Sequence, residues 1–143
     1  MIEPGERIRD ILNMPVGARV VARGWVKTRR DSKGIHFAQI SDGSCFQDLQ
    51  VVIDDGVLPP DTLAAVTTGA CVEASGTLVE SPGSGQAVEL KVDGVRVHGP
   101  APSATYPLQK KGHTMEFLRE IAHLRTRSNT FGAVFRVRNA LSY

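Results

Sequence analysis

Residues 19–54 read RVVARGWVKTRRDSKGIHFAQISDGSCFQDLQVVID and decide the fold of this 143-residue chain. Three segments within them, 20–28, 35–41 and 48–54, are rich in β-branched residues or alternate in polarity, as strands do. The breaks between these segments, RDSKG and DGS, carry the Gly, Asp and Ser expected of turns. The stretch therefore predicts a meander of three strands.

Alternation along these strands assigns residues to the two faces of the sheet, because successive side chains point to opposite sides. The residues predicted to face the core are Ala38, Ile40, Leu49, Val51 and Ile53. Phe37, Gln39, Gln50 and Val52 then face outward. An outward ring beside an outward amide offers a nucleobase a stacking surface with a hydrogen-bonding neighbour. The alternative for Phe37 is a ring packed at the edge of the core.

The remaining elements up to residue 98 complete a small β-barrel. Segments 6–13 and 62–68 have the apolar spacing of short helices, and segments 70–79 and 87–98 are rich in β-formers. Three strands, a helix and two further strands are the order of a five-stranded Greek-key barrel of the OB type. We therefore predict a mainly β fold with a helix between strands 3 and 4.

The nucleic-acid-binding surface of an OB barrel is formed by strands 2 and 3 and by loops 1-2 and 4-5. In this chain the predicted loops are 29–34 and 81–86. Alternation in the fifth strand turns Glu89 toward the same outer surface. Because a carboxylate repels phosphate yet accepts hydrogen bonds from base amino and imino groups, Glu89 is expected to contribute specificity rather than affinity.

The net charge is only +2, but cations are concentrated in one hairpin. The cations between positions 23 and 33 are Arg23, Lys27, Arg29, Arg30 and Lys33. Only Asp31 opposes them, and such a cluster is the local footprint that a phosphate backbone requires. A solvated basic hairpin is the alternative. The position of the cluster beside Phe37 and Gln50 favours a nucleic-acid site.

Residues 98–103, HGPAPS, form a Pro-rich linker and predict a domain boundary. The segment beyond it predicts a helical extension. Thr114 can cap one helix, and Asn129 or Thr130 can cap a second. The second helix reaches Tyr143 without a stop signal, so we expect the sequence to be a piece of a longer protein.

Several functional classes are disfavoured. Cys45 and Cys71 lie far apart, without a CxxC motif or a secretory context, and are predicted to be free thiols. No metal site, nucleophile–base pair or phosphate-cradling loop is recognisable, so we predict no catalytic residue and no cofactor site in this chain. The sequence has no apolar run long enough for a membrane span, and its polar amino terminus predicts a cytoplasmic protein.

The segments GWVKTRRDSKG, HFAQISDGS, LQVVID and YPLQKKGHTMEFLREIAHLRTRSNTFGAVFRVRNAL resemble the amino-terminal part of bacterial asparaginyl-tRNA synthetases. The resemblance covers essentially the whole chain, although GWVxxRRD is shared with the aspartyl and lysyl enzymes. It implies that the barrel binds the tRNA anticodon. It also implies that Phe37 stacks on the central anticodon base, Gln50 reads the edge of that base, Glu89 takes part in anticodon recognition and Arg30 contacts RNA.

The resemblance divides the chain into an anticodon-binding domain, 1–103, and a hinge with the start of a catalytic domain, 104–143. It implies the anticodon arm of tRNA(Asn) as partner, and a homodimeric parent enzyme that uses ATP and Mg²⁺ to join asparagine to this tRNA. The catalytic motifs are expected beyond Tyr143, so this chain alone should bind RNA without catalysis. The alternatives are a stand-alone OB module for single strands or a protein partner, and the equivalent domain of an aspartyl or lysyl enzyme.

Overall fold

A computed structural model describes residues 6–83, 85–109 and 112–143. The chain divides into two compact units, Met1–Tyr106 and Pro107–Tyr143. The first unit contains all five strands, whose bounds are β1 Arg19–Ser32, β2 Ile35–Ser41, β3 Leu49–Asp54, β4 Cys71–Glu80 and β5 Val88–Gly99. It also contains two short helices, α1 Ile8–Ile11 and α2 Pro60–Ala65.

The strands close into a barrel in the order β1-β2-β3-β5-β4. Neighbouring strands are antiparallel except β3 and β5, which run parallel. The parallel pair arises because α2 and β4 lie between these two strands in the sequence. The predicted mainly β OB fold, with a helix between the third and fourth strands and a short amino-terminal helix, is confirmed.

The core lies inside the barrel and follows the predicted alternation. The predicted inward residues Ala38, Ile40, Leu49, Val51 and Ile53 are all buried. Ile8 and Ile11 of α1 belong to the same core cluster and are completely buried. Burying each such side chain contributes about 1.5 to 3 kcal/mol, so the inner face of the sheet holds the barrel together.

The first hairpin differs from the prediction. β1 extends to Ser32, so the predicted loop 29–34 is mostly strand, and the turn consists of Lys33 and Gly34. Gly34 has φ of +73°, a conformation that favours glycine in two-residue hairpin turns. The end of β1 was not predicted because residues 29–32 are all polar. Without alternating apolar residues, the sequence gives no strand signal there.

The pairing of β1 with β2 contains a bulge at Lys27. Val26 pairs with Ile40, and Thr28 pairs with Gln39, so one residue of β1 has no counterpart on β2. An extra residue in one strand reverses the alternation of everything that follows it. The residues of β1 after the bulge therefore face opposite to what simple alternation from its first half would give.

The bounds of α2 differ slightly from the predicted helix 62–68. α2 begins at Pro60 rather than at residue 62, and Pro59 is its N-cap residue. Proline is well suited to the first helical position, because its missing N–H would have no intrahelical partner there. Apart from the longer carboxyl end of β1, the strand ends differ from the predicted ones by at most one residue, which is normal for strand boundaries.

The second unit has two helices, α3 Met115–Glu120 and α4 Asn129–Ser142, with a 3₁₀ turn at Arg125–Arg127. Thr114 caps α3 as predicted, since its hydroxyl accepts a hydrogen bond from the Phe117 N–H at 3.2 Å. The predicted caps of α4 were wrong. Ser128 caps this helix by accepting from the Phe131 N–H.

The sequence predictions about cysteines, metal-binding clusters and membrane-spanning segments can also be compared with the structure. Cys45 and Cys71 are not joined in a disulfide, as predicted, and the Cys45 thiol donates to the Gln47 carbonyl at 3.1 Å. Within the residues that the structure describes, no cluster of three or more His, Cys, Asp and Glu side chains could hold a metal ion. No helix in these same ranges combines the length and apolar character needed to cross a bilayer.

Candidate nucleic-acid interface

One row of residues crosses the outer surface of four strands. Arg30 pairs with Phe37, Phe37 with Val52, and Val52 with Lys91. The Arg30 guanidinium carbon lies 4.7 Å from the centre of the Phe37 ring, which is the geometry of a cation–π contact. Arg30 is exposed and Phe37 is half-buried. An aromatic surface and a cation therefore stand together on the outside of the barrel.

A second row lies beside the first and consists of polar side chains. The Thr28 hydroxyl donates to Gln39 Oε1 at 2.9 Å, and Gln39 pairs with Gln50 across the strands. Gln50 Nε2 in turn donates to Glu89 Oε2 at 2.8 Å. We call the surface formed by Arg30, Phe37, Gln50 and Glu89 the reading face. It presents stacking, amide and carboxylate groups within two adjacent rows.

Glu89 faces the outside of the sheet as predicted, yet it is only 7% exposed. Its carboxylate accepts hydrogen bonds from Gln50 and from the Ser81 hydroxyl, at 3.3 Å for the latter. Val52 is also outward by alternation but buried. Alternation predicts the face on which a side chain lies, whereas burial depends on neighbours from other strands and loops.

Arg29 lies away from the reading face. It pairs with Ala38, whose side chain is in the core, so Arg29 is directed to the inner side of the sheet. Its guanidinium donates to the carbonyls of Leu63 and Val66 at 2.5 and 3.2 Å, at the end of α2, and to the Asp31 carboxylate. The Leu63 carbonyl also accepts from the Val66 N–H at 3.3 Å, so Arg29 adds a charged donor where α2 ends.

Asp31 is held on one side by Arg29 and on the other by His36. The hydrogen bond from Arg29, followed by the one from His36, lowers the pKa of Asp31, and these contacts outweigh the opposing effect of burial. The ion pair therefore fixes Arg29 beneath the hairpin, between Asp31 and α2.

The other predicted cations are distributed over the barrel. Arg23 donates to Glu73 at 2.7 Å on the outer surface shared by β1 and β4, and Lys27 lies 3.0 Å from the Asp48 carboxylate. Lys33 is exposed in the hairpin turn. The structure brings Arg30 together with Phe37, Gln50 and Glu89, whereas Arg23, Lys27 and Arg29 have protein partners. Contact of these cations with RNA remains a prediction.

Sequence reasoning missed two polar residues around the site, Thr28 and Ser81, whereas it predicted the outward position of Gln39. Thr28 and Gln39 extend the polar row, and Ser81 bonds to Glu89 from the loop between β4 and β5. The bulge moved Thr28 to the outer face, so alternation could not reveal it. Ser81 opens a loop whose composition is typical of a turn. Its separation of eight residues from Glu89 across this loop was the one sequence feature that could have suggested a contact between them.

Comparison with known proteins identifies similar chains. The family described as "OB-fold nucleic acid binding domain" matches residues 20–97. The asparagine–tRNA ligase of Solibacter usitatus (strain Ellin6076) is 61% identical over 142 residues, which are 99% of this chain and 31% of that protein. The asparagine–tRNA ligase of Porphyromonas gingivalis (strain ATCC BAA-308 / W83) is 48% identical over 95% of this chain and 29% of that protein. The chain thus spans about a third of the length of these relatives.

Solved structures share the fold. The asparaginyl-tRNA synthetase of Pyrococcus horikoshii superposes with a TM-score of 0.81 at 21% identity, over 99% of this chain and 34% of that one. The aspartyl-tRNA synthetase of Entamoeba histolytica gives 0.73 at 14% identity, over 96% of this chain and 35% of that one. At such identities these matches establish the fold.

Proposed function

Because the chain belongs to the family of OB-fold nucleic acid binding domains, we propose that it binds the anticodon arm of tRNA(Asn) as part of an asparagine–tRNA ligase. The observation that carries the proposal is the reading face, where a ring with a stacked guanidinium adjoins an amide bonded to a carboxylate. The high identity to asparagine–tRNA ligases over almost the whole chain supports the choice of tRNA.

Phe37 is the proposed stacking platform for the central anticodon base. Stacking of a base on an aromatic side chain contributes about 1 to 3 kcal/mol. Arg30 occupies one face of the ring in the free protein, so an incoming base takes the place of the guanidinium. The exposed Arg30 side chain is then available to bind a phosphate, because arginine is well suited to both stacking and phosphate contacts.

Gln50 and Glu89 are proposed to read base edges. The amide of Gln50 can donate and accept at once, which suits the edge of a base stacked on the neighbouring ring. The Glu89 carboxylate accepts from amino and imino groups of a splayed-out base. In the free protein these two side chains bond to each other, so their positions are set before RNA arrives.

The activity of the whole protein is part of the proposal. We infer that it converts ATP, asparagine and tRNA(Asn) into asparaginyl-tRNA, AMP and diphosphate, and that it works as a cytoplasmic homodimer. ATP and Mg²⁺ are assigned to the portion of the relatives beyond the matched segment. The structure of the Pyrococcus horikoshii enzyme complexed with asparaginyl-adenylate supports this chemistry for the relatives.

The equivalent domain of an aspartyl enzyme is the second candidate, because aspartyl-tRNA synthetases share the fold. The two candidates differ in the anticodon that they bind. Fluorescence anisotropy with labelled anticodon stem-loops of tRNA(Asn), tRNA(Asp) and a scrambled loop on the same stem distinguishes them. We expect the tightest binding to the asparagine stem-loop. Equal affinity for all three RNAs would contradict anticodon recognition.

Phe37→Ala tests whether the reading face is the binding site. We expect its affinity for the asparagine stem-loop to fall by about 1 to 3 kcal/mol, with little change in thermal midpoint, since the ring lies outside the core. Phe46→Ala is the matched control, because Phe46 is 61% exposed in the loop between β2 and β3. Equal losses for the two variants, or a lowered midpoint with unchanged affinity for Phe37→Ala, would contradict the assignment.

A further inference from the structure

We propose that Ser81 is a positioning residue that fixes the Glu89 carboxylate for a nucleobase and thereby contributes to base specificity at this position. This inference rests on the proposed function and deepens it. Ser81 follows directly after β4, and the loop that it opens lies next to the reading face.

A serine hydroxyl can donate one hydrogen bond and accept two. Ser81 Oγ accepts from Gln86 Nε2 at 3.1 Å and from the Gly83 N–H at 3.3 Å. It donates to Glu89 Oε2 at 3.3 Å. Its full capacity is therefore used. Because both other partners are N–H donors, the Glu89 carboxylate is the acceptor among these three partners toward which the hydroxyl hydrogen points.

The loop holds Ser81 in this position through its backbone as well. The Ser81 N–H donates to the Ala87 carbonyl at 3.0 Å, which closes the loop at its base. Gln86, just before that closure, supplies the side-chain amide that orients the hydroxyl. The described part of the loop and the carboxylate thus form one hydrogen-bonded unit.

Both protein donors to Glu89 reach the same oxygen, Oε2. Within the residues that the structure describes, no donor to Glu89 Oε1 is found, so this oxygen is left to accept from a ligand. Holding one carboxylate oxygen from two directions restricts rotation of the group. The two lone pairs of Oε1 can accept from two neighbouring donors of one base, and the base that presents N1–H beside N2–H is guanine.

The test measures discrimination rather than affinity alone. The asparagine anticodon GUU contains one guanosine, and inosine in its place removes the N2 amino group while keeping N1–H. We expect wild type to prefer the guanosine stem-loop. In Ser81→Ala the ratio of the two dissociation constants should fall roughly tenfold, because the carboxylate loses a hydrogen bond that orients it. Binding is measured by anisotropy on the full chain at constant salt.

Ser75→Ala is the matched control. Ser75 lies within β4 and, like Ser81, donates to a carboxylate on β5, that of Asp93 at 3.1 Å, but away from the reading face. This variant should keep the wild-type ratio, and Ser81→Thr, which retains the hydroxyl, should restore it. Gln86→Glu gives a second route to the same result, because a carboxylate at position 86 would accept from Ser81 and turn its hydrogen away from Glu89.

The outcomes separate the two proposals. Failure of wild type to prefer the asparagine stem-loop over a scrambled loop would overturn the proposed function. A wild-type preference for guanosine that Ser81→Ala and Gln86→Glu both retain would overturn the role of Ser81 alone. Equal loss of discrimination in Ser81→Ala and Ser75→Ala would also overturn it, since the effect would then be a general one on the β4–β5 pair.

Discussion

The barrel has two outer surfaces that both carry cations and carboxylates, but the groups are paired differently. On the surface shared by β1 and β4, which we call the β1–β4 face, each named cation meets a carboxylate: Arg19 lies 2.6 Å from Asp93, and Arg23 lies 2.7 Å from Glu73. On the reading face, the cation Arg30 lies on a ring and the carboxylate of Glu89 accepts from neutral groups.

The difference shows why local charge alone is a weak indicator of a nucleic-acid site. A guanidinium already paired with a carboxylate is partly neutralised, which weakens its attraction for a phosphate. Arg30 on Phe37 and Glu89 bonded to Gln50 are held in place without being neutralised. Their partners can be exchanged for base and phosphate groups, while the ion pairs of the β1–β4 face serve the barrel itself.

The largest expected effect comes from removing one carboxylate charge on each surface. Glu89→Gln should weaken binding of the asparagine stem-loop by about 1.5 to 3 kcal/mol, the range for hydrogen bonds to charged groups. Glu73→Gln should leave RNA affinity unchanged, because Glu73 lies on the β1–β4 face. Anisotropy titrations of both variants at one salt concentration check this. Similar losses for both would mean that the two surfaces do not differ in RNA binding.

An intermediate effect distinguishes the adjacent residues Arg29 and Arg30. Arg29→Ala should lower the free energy of unfolding by about 1 to 2 kcal/mol, because the α2 carbonyls lose a charged donor. Arg30→Ala should leave stability nearly unchanged and reduce the slope of log K against log salt by about 0.7, the value for one phosphate contact on a single strand. Urea unfolding and salt titrations measure the two quantities. An unchanged salt slope in Arg30→Ala would remove it from the RNA site.

The smallest expected effect is the pH dependence of the Arg23–Glu73 pair. The hydrogen bond from Arg23 holds the pKa of Glu73 below its ordinary value of 4.5, against the opposing effect of burial. A folded-state pKa below the unfolded one means that the pair stabilises the protein above about pH 4.5, and that this stabilisation is lost as the pH falls through the folded pKa.

Unfolding of wild type and Glu73→Gln across pH 3 to 6 measures this dependence. The pair is partly exposed, so the difference between them should stay within about 1 kcal/mol at neutral pH and shrink in acid. Glu73→Gln provides the reference curve without the ionisable group. A difference that grows as the pH falls would contradict the direction of the shift.

Much of the fold could be predicted from local sequence. Alternation identified the inward residues of β2 and β3, and turn composition located the breaks between strands. The outward positions of Phe37 and Gln50 followed from the same rule. These predictions succeeded because apolar and polar residues alternate along a strand that is buried on one face. The polarity of a residue then indicates the face on which its side chain lies.

Tertiary structure decided the rest of the site. The bulge at Lys27 places Arg30 over Phe37 and sends Arg29 to α2, although the two arginines are adjacent and chemically identical. Glu89 is buried because β5 lies parallel to β3 and the loop after β4 bonds to its carboxylate. Both outcomes depend on which distant strands and loops become neighbours. The sequence by itself determines which side of a strand each residue favours, whereas a bulge and a buried carboxylate exist only once those neighbours have paired.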